Sequence, residues 1–174
     1  MVKRYKIDMG DDIDISKVVD VIDTNKPILI VCIGTMNVVR DSIGPEVGSR
    51  LKELGFNVLG TKDEPVHGLN IISTADFIKE NYEDHFIIGI DASIGVKKGL
   101  IILDNKPISP GKGVNKTLPD IGDVSIKGNV ATLYEVGTNK NTKYRVLNTR
   151  DEVVPYLIDR IVDIFKQLKE VKAR

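Results

Sequence analysis

The stretch PILIVCIG at 27–34 governs the reading of the fold. Proline opens it, glycine closes it, and from Ile28 to Ile33 every residue is apolar and most are β-branched. An apolar run of this length between turn-forming residues is the pattern of a strand buried on both faces, as the central strands of parallel sheets are. Downstream, Pro45 stands at a first helical position, Val47, Leu51 and Leu54 follow at helical spacing, and Gly55 supplies the stop. A short strand over Phe56–Gly60, a helix over Thr74–Tyr82 and a strand over His85–Ile90 continue the alternation, with Asp91 just beyond the last. Strand and helix alternating in this way predict a parallel sheet with right-handed crossovers.

Upstream, Ile15, Val18, Val19 and Ile22 predict an amphipathic helix in an N-terminal extension over 1–25, packed on the rest. Gly99–Leu103 reads as a further strand. Residues 104–128 read as loop-rich, punctuated by Pro107, Pro110, Gly111, Gly113, Pro119 and Gly122. Val154, Leu157, Ile158, Ile161, Ile164, Phe165 and Leu168 form one apolar stripe on a long C-terminal helix, with Lys166, Lys169, Glu170 and Lys172 on its solvated side. With no repeat, low-complexity tract or linker, the expectation is a single α/β domain over 1–174. Its architecture is a three-layer sandwich around a mostly parallel central sheet.

Composition narrows the function. Lys and Arg total 25 and Asp and Glu total 25, so the chain lacks the net positive charge that draws proteins to nucleic acid. Trp is absent, which further weakens a single-strand stacking surface. No apolar stretch approaches the ~18 residues of a membrane span, and the basic N-terminus is not followed by a signal-type apolar region. The one cysteine, Cys32, reads as an inert core residue in a reducing compartment. A cytoplasmic protein with neither nucleic-acid nor membrane partners is expected.

Ligands of an open parallel sheet bind beyond the carboxyl ends of its strands. Asp41 follows the first strand, His67 the second and Asp91 the third, so the topology gathers them on one edge. Two carboxylates in a partly desolvated cleft cannot both ionise freely, and such a pair can serve as general base and general acid toward water and an amide. Joined by His67, the same pair could instead hold a divalent metal. Structural alternatives stand beside these readings: Asp41 favouring a helix dipole, Asp91 capping a turn, His67 as a hydrogen-bonded loop residue. Arg40 and Lys116 are candidate anion contacts, and His67 and Ser93, the latter beside Asp91, are candidate substrate contacts. No GxSxG elbow accompanies Ser42 or Ser93. PGKGVNK at 110–116 lacks P-loop spacing, and Gly34 alone is no dinucleotide fingerprint, so no cofactor is called for.

The segments CIGTMNVVRDSIGPEVG (32–48), EPVHGLN (64–70), IGIDASIG (88–95), PGKGVNKTLPDIGDVSIKG (110–128) and VLNTR (146–150) together resemble the YyaC-type sporulation proteins. That family is similar in fold to the spore germination protease and the hydrogenase maturation proteases, with a phosphorylase/hydrolase-like α/β architecture. The resemblance implies that Asp41, in DSIGP, and Asp91, in IDA, correspond to the two acids of an aspartic-type dyad. In the hydrogenase maturation proteases a histidine downstream of the second acid completes a metal site. Here no histidine follows His85, so the resemblance favours a metal-free pair, with Asp41, His67 and Asp91 as the set if a metal is held. MNVV at 36–39 replaces a more polar stretch in related chains. The implied function is a sporulation-associated, peptidase-like hydrolase acting on a protein or peptide, in the mother cell or forespore. The alternatives are a non-catalytic binding module on the protease fold and a metal-dependent hydrolase. A homo-oligomer is compatible with either.

Overall fold

A computed structural model describes residues 1–111 and 117–174. Its strands are β1 (Arg4–Ile7), β2 (Ile28–Cys32), β3 (Val58–Leu59), β4 (Phe86–Gly95), β5 (Ile101–Asp104) and β6 (Val124–Thr132), and its helices α1 (Ile15–Val21), α2 (Ile43–Glu53), α3 (Ile71–Asn81), α4 (Leu133–Val136), α5 (Lys140–Leu147) and α6 (Val153–Lys172). A single 3₁₀ turn, Val39–Asp41, leads into α2. The strands form one six-stranded sheet in the order β1-β5-β6-β4-β2-β3. β3, β2, β4 and β6 pair in parallel, whereas β5 is antiparallel to both β6 and β1. This is a mixed α/β fold with a mostly parallel sheet flanked by helices, as the alternation of apolar runs and helical spacings predicts.

Leaving β2, the chain moves outward through α2 to β3, then returns through α3 to β4 on the other side of β2. Right-handed connections running in opposite directions place their helices on opposite faces of a sheet. α2 packs with α1 and α6 against Ile30, Cys32, Ile88, Ile90, Leu103 and Ile126. On the opposite face, α3 packs through Ile71, Ala75 and Ile78 onto Leu29, Val31 and Ile33. Cys32 is fully buried, and burial pushes its thiol up, so it stays an uncharged core residue.

Besides the short helices α4 and α5, which the sequence reading lacks, four elements depart from it. β4 runs on past Ile90 to Gly95, because β6 pairs with it along that whole length and its polar residues have an open face to point into. β6 emerges from the stretch read as loop: SIKGN alternates polar and apolar residues, but its glycine and the prolines before it hide the strand. β1 brings the N-terminal segment into the sheet edge through Arg4, Tyr5, Lys6 and Ile7, a charged alternation suited to an edge strand. α3 starts at Ile71 rather than Thr74, since Ile71, Ala75 and Ile78 carry its buried stripe, and the Ser73 and Thr74 hydroxyls donate to the Asn70 carbonyl at 2.9 and 2.8 Å. Among the described residues no helix is long and apolar enough to cross a membrane.

Candidate active site

Asp41 owes its position to a tight fold-back after β2. Thr35 N–H donates both to the Asp41 carbonyl oxygen at 3.1 Å and to its carboxylate Oδ2 at 3.2 Å. Gly34 permits the approach: its φ is +152°, and a Cβ there would fall 2.2 Å from the Asp41 carbonyl oxygen. Gly44, in the first turn of α2, sits so close to the end of β2 that a Cβ would meet the Ile33 carbonyl oxygen at 2.1 Å. The Asp41 carboxylate therefore faces back toward the strand end, and α2 begins without a side-chain cap. Burial pushes the Asp41 carboxyl up to about 6, against the opposing pull of the Thr35 N–H.

Asp91 lies inside β4, not beyond it, so it caps no turn; its partner in the parallel register is Lys127 of β6. Burial holds the Asp91 carboxyl well above the usual carboxylate range, and the charge of Asp41 raises it further. The Ala92 N–H and the Lys127 ammonium act in the opposite direction. The charge of Asp41 thus acts on Asp91, which links the titration of the two acids and favours Asp91 as the one that keeps its proton longer as pH rises.

Both carboxylates line a cavity of about 1060 Å³. Its floor is the sheet face beyond the reach of α3, where β4, β6 and β5 present Asp91, Ser93, Lys127 and Asp104. Part of its cover is the loop after β5, where Ile108 and Ile121 bridge; Ile108 packs where a Cβ on Gly89 would stand. Such a crevice, at the point where the chain leaves β2 in one direction and arrives at β4 in the other, is the ligand position of open α/β sheets.

The remaining expected site residues divide. His67 lines the cavity, and its Nδ1 accepts the Leu69 N–H at 3.2 Å, the loop role weighed as its alternative. Among the described residues no three His, Cys, Asp or Glu side chains form a group able to hold a metal ion, so Asp41, His67 and Asp91 are not gathered as a ligand set. Ser93 is at the cavity wall, donating its hydroxyl to Asn129 Oδ1 at 2.5 Å. Arg40 is a correction. Its buried guanidinium is spent on the protein itself, on the Thr149 carbonyl at 3.0 Å, the Val130 carbonyl at 2.9 Å and the Asp151 carboxylate at 2.9 Å. It anchors the turn before Asp41 to β6 and to the entry of α6 rather than contacting an anion. Lys116 and the rest of the 112–116 loop lie outside the described residues.

Sequence reasoning missed Lys127, Asn129 and Asp104. The signal was the alternation Ser125, Lys127, Asn129 against Val124, Ile126, Val130, which marks a strand with one polar face. Asp104 is fully buried, with Oδ2 held by Arg4 Nε at 3.0 Å and Nη2 at 2.5 Å.

A family model described as a protein of unknown function (DUF1256) matches residues 11–154, a span holding both carboxylates and every element lining the cavity except β1. The chain belongs to this family. A relative, the uncharacterized protein YyaC of Bacillus subtilis (strain 168), is 38% identical over 129 residues. That alignment covers 70% of this chain and 63% of YyaC, less than two thirds of the relative's length. Among solved structures, the [NiFe] hydrogenase maturation protease HycI from Thermococcus kodakarensis KOD1 superposes with a TM-score of 0.55 at 19% identity, over 86% of this chain and 97% of its own. The maturation protease HybD from Thermococcus kodakarensis gives 0.45 at 16% identity, over 81% and 97%. The likeness to HycI establishes that the DUF1256 chain shares the maturation-protease fold.

Proposed function

We propose that the chain is a peptidase-like hydrolase in which Asp41 and Asp91 activate water for attack on a peptide bond. The observation that carries this reading is the placement of Asp41 and Asp91 at the wall of one cavity, with the Asp91 carboxyl raised by burial and by the charge of Asp41. Pairs of carboxyls pushed apart in this way take opposite acid-base roles. Asp41, ionised above about 6, removes a proton from water as its oxygen attacks the carbonyl carbon. Asp91 gives its proton to the departing nitrogen as the C–N bond breaks, and the proton on Asp41 then passes to Asp91. The fold shared with HycI supports a peptidase-like hydrolase, while the YyaC-type resemblance supports the metal-free pair and extends the proposal to sporulation in an endospore former.

The substrate class follows from the space. A cavity of about 1060 Å³ is at the upper limit of small-molecule pockets and suits a stretch of polypeptide. Leu133, 61% exposed, adds an apolar contact at its edge. The test is hydrolysis of a mixed peptide library followed by mass spectrometry. Wild-type protein should cut a subset of the peptides, and Asp41→Asn and Asp91→Asn should each lower the rate by roughly 100-fold or more, the scale of lost general acid-base catalysis. Variants that cut as fast as wild type would remove the pair from the mechanism.

A further inference from the structure

β6 is unlike the other central strands. One face, Val124, Ile126 and Val130, joins the helix-packed core, while Ser125, Lys127 and Asn129 turn the other way. Asn129 is occupied, accepting from Ser93 and donating to the Lys97 carbonyl at 3.0 Å. Lys127 lines the cavity and engages no hydrogen bond or ion pair among the described residues, yet its charge acts on Asp91, its register partner. Of the other cations at the cavity, Arg4 and Arg40 are committed to Asp104 and Asp151, and neither Lys106 nor Lys143 stands in register with Asp91 as Lys127 does.

We infer that Lys127 is a third catalytic residue, whose ammonium holds the substrate oxygen that becomes negative when water attacks. This rests on the reading of Asp41 and Asp91 as a hydrolytic pair. In the resting site the ionised Asp41, the protonated Asp91 and the Lys127 ammonium sum to zero. When Asp41 takes the proton from water, the new O–C bond forms and the C=O electron pair moves to oxygen, so the negative charge leaves Asp41 and appears on the substrate. A cation fixed beside Asp91 before the reaction then stabilises that oxygen without having to reorganise. On collapse the electron pair returns, the C–N bond breaks and nitrogen takes the proton from Asp91. The products are an acid and an amine, with one water consumed. Among the described residues no hydrogen bond or ion pair offsets the partial withdrawal of this ammonium from water.

Two measurements on wild type, Lys127→Met and Lys127→Arg test this. The first is peptide-library hydrolysis, with Asp41→Asn alongside. The second is nitrogen-15 NMR titration with dimethylphosphinate, a small tetrahedral monoanion, in which the spectra also report that each variant is folded. Lys127→Met should lower kcat by roughly 100-fold, the typical loss of one oxyanion contact, with KM within about threefold, and Lys127→Arg should recover part of it. The phosphinate should perturb Asp91 and Lys127 in wild type and bind at least about tenfold more weakly to Lys127→Met. Full kcat in Lys127→Met while Asp41→Asn is inactive would overturn the role of Lys127 and leave the pair standing. Undiminished cleavage by Asp41→Asn, or no cleavage by wild type, would overturn the hydrolytic reading and the catalytic role with it; phosphinate binding through Lys127 would then mark an anion site alone.

Discussion

The two faces of the sheet are built to different ends. Against α1, α2 and α6 the strands present Ile30, Cys32, Ile88, Ile90, Leu103 and Ile126, and the contact closes around Phe165, which is fully buried and meets the Phe56 ring edge-on with centroids 5.6 Å apart. On the other face α3 covers only β2 and its neighbours. From β4 outward the same face carries Asp91, Lys127, Ser125, Asp104 and Arg4, and Ser125 Oγ and Asp104 Oδ1 are buried without a hydrogen-bond partner among the described residues. One face supplies the stability of the fold; the other spends some of it on polar groups withdrawn from water. Polar side chains drawn together around a cavity on one side of a sheet mark the side that functions.

Substitutions on the two faces should therefore move stability in opposite directions. Phe165→Ala removes a fully buried ring from the helix-packed face and should cost about 3–5 kcal/mol in denaturant unfolding, while the residual folded protein keeps the titration of its cavity carboxyls. A loss under about 1 kcal/mol would mean that this face is not the one that holds the fold.

Asp41→Asn should do the reverse, by a smaller amount. The folded carboxyl titrates at about 6 against an ordinary value of 3.8, so between these values the folded state binds more protons than the unfolded chain. Stability then falls as pH rises through that window and is lowest above it. Replacing the carboxyl with a neutral amide should make the protein more stable than wild type by about 3 kcal/mol at pH ~8, with almost no gain at pH ~3.5. Equal effects at both pH values would place the cause elsewhere than in the ionised carboxylate.

The helix-packed face was the legible one. PILIVCIG, the Pro45-to-Gly55 helix and the stripe from Val154 to Leu168 are continuous or strictly periodic because both sides of each contact are apolar. The cavity face was less legible for the same physical reason. β6 and the end of β4 need apolar residues only toward the helices, so Lys127, Asp91 and Ser93 interrupt the runs that betray a strand. The acids themselves could be found, since topology sends strand ends to one edge whatever lies between them. Arg40 could not be resolved: its neighbours Val130, Thr149 and Asp151 are remote in sequence, and only folding shows that each of its three nitrogens meets one of them. α5 escaped notice because it buries no side chain that would impose a period.

The coupling of the two acids is open to direct observation by carbon-13 NMR of the aspartate carboxyls, titrated in wild type and in Asp41→Asn. Asp41 should titrate near 6 and Asp91 well above the usual carboxylate range, with the Asp91 midpoint falling once the charge of Asp41 is gone. Two independent midpoints near the ordinary value of about 4, or an Asp91 midpoint unmoved by Asp41→Asn, would contradict the shared-proton pair.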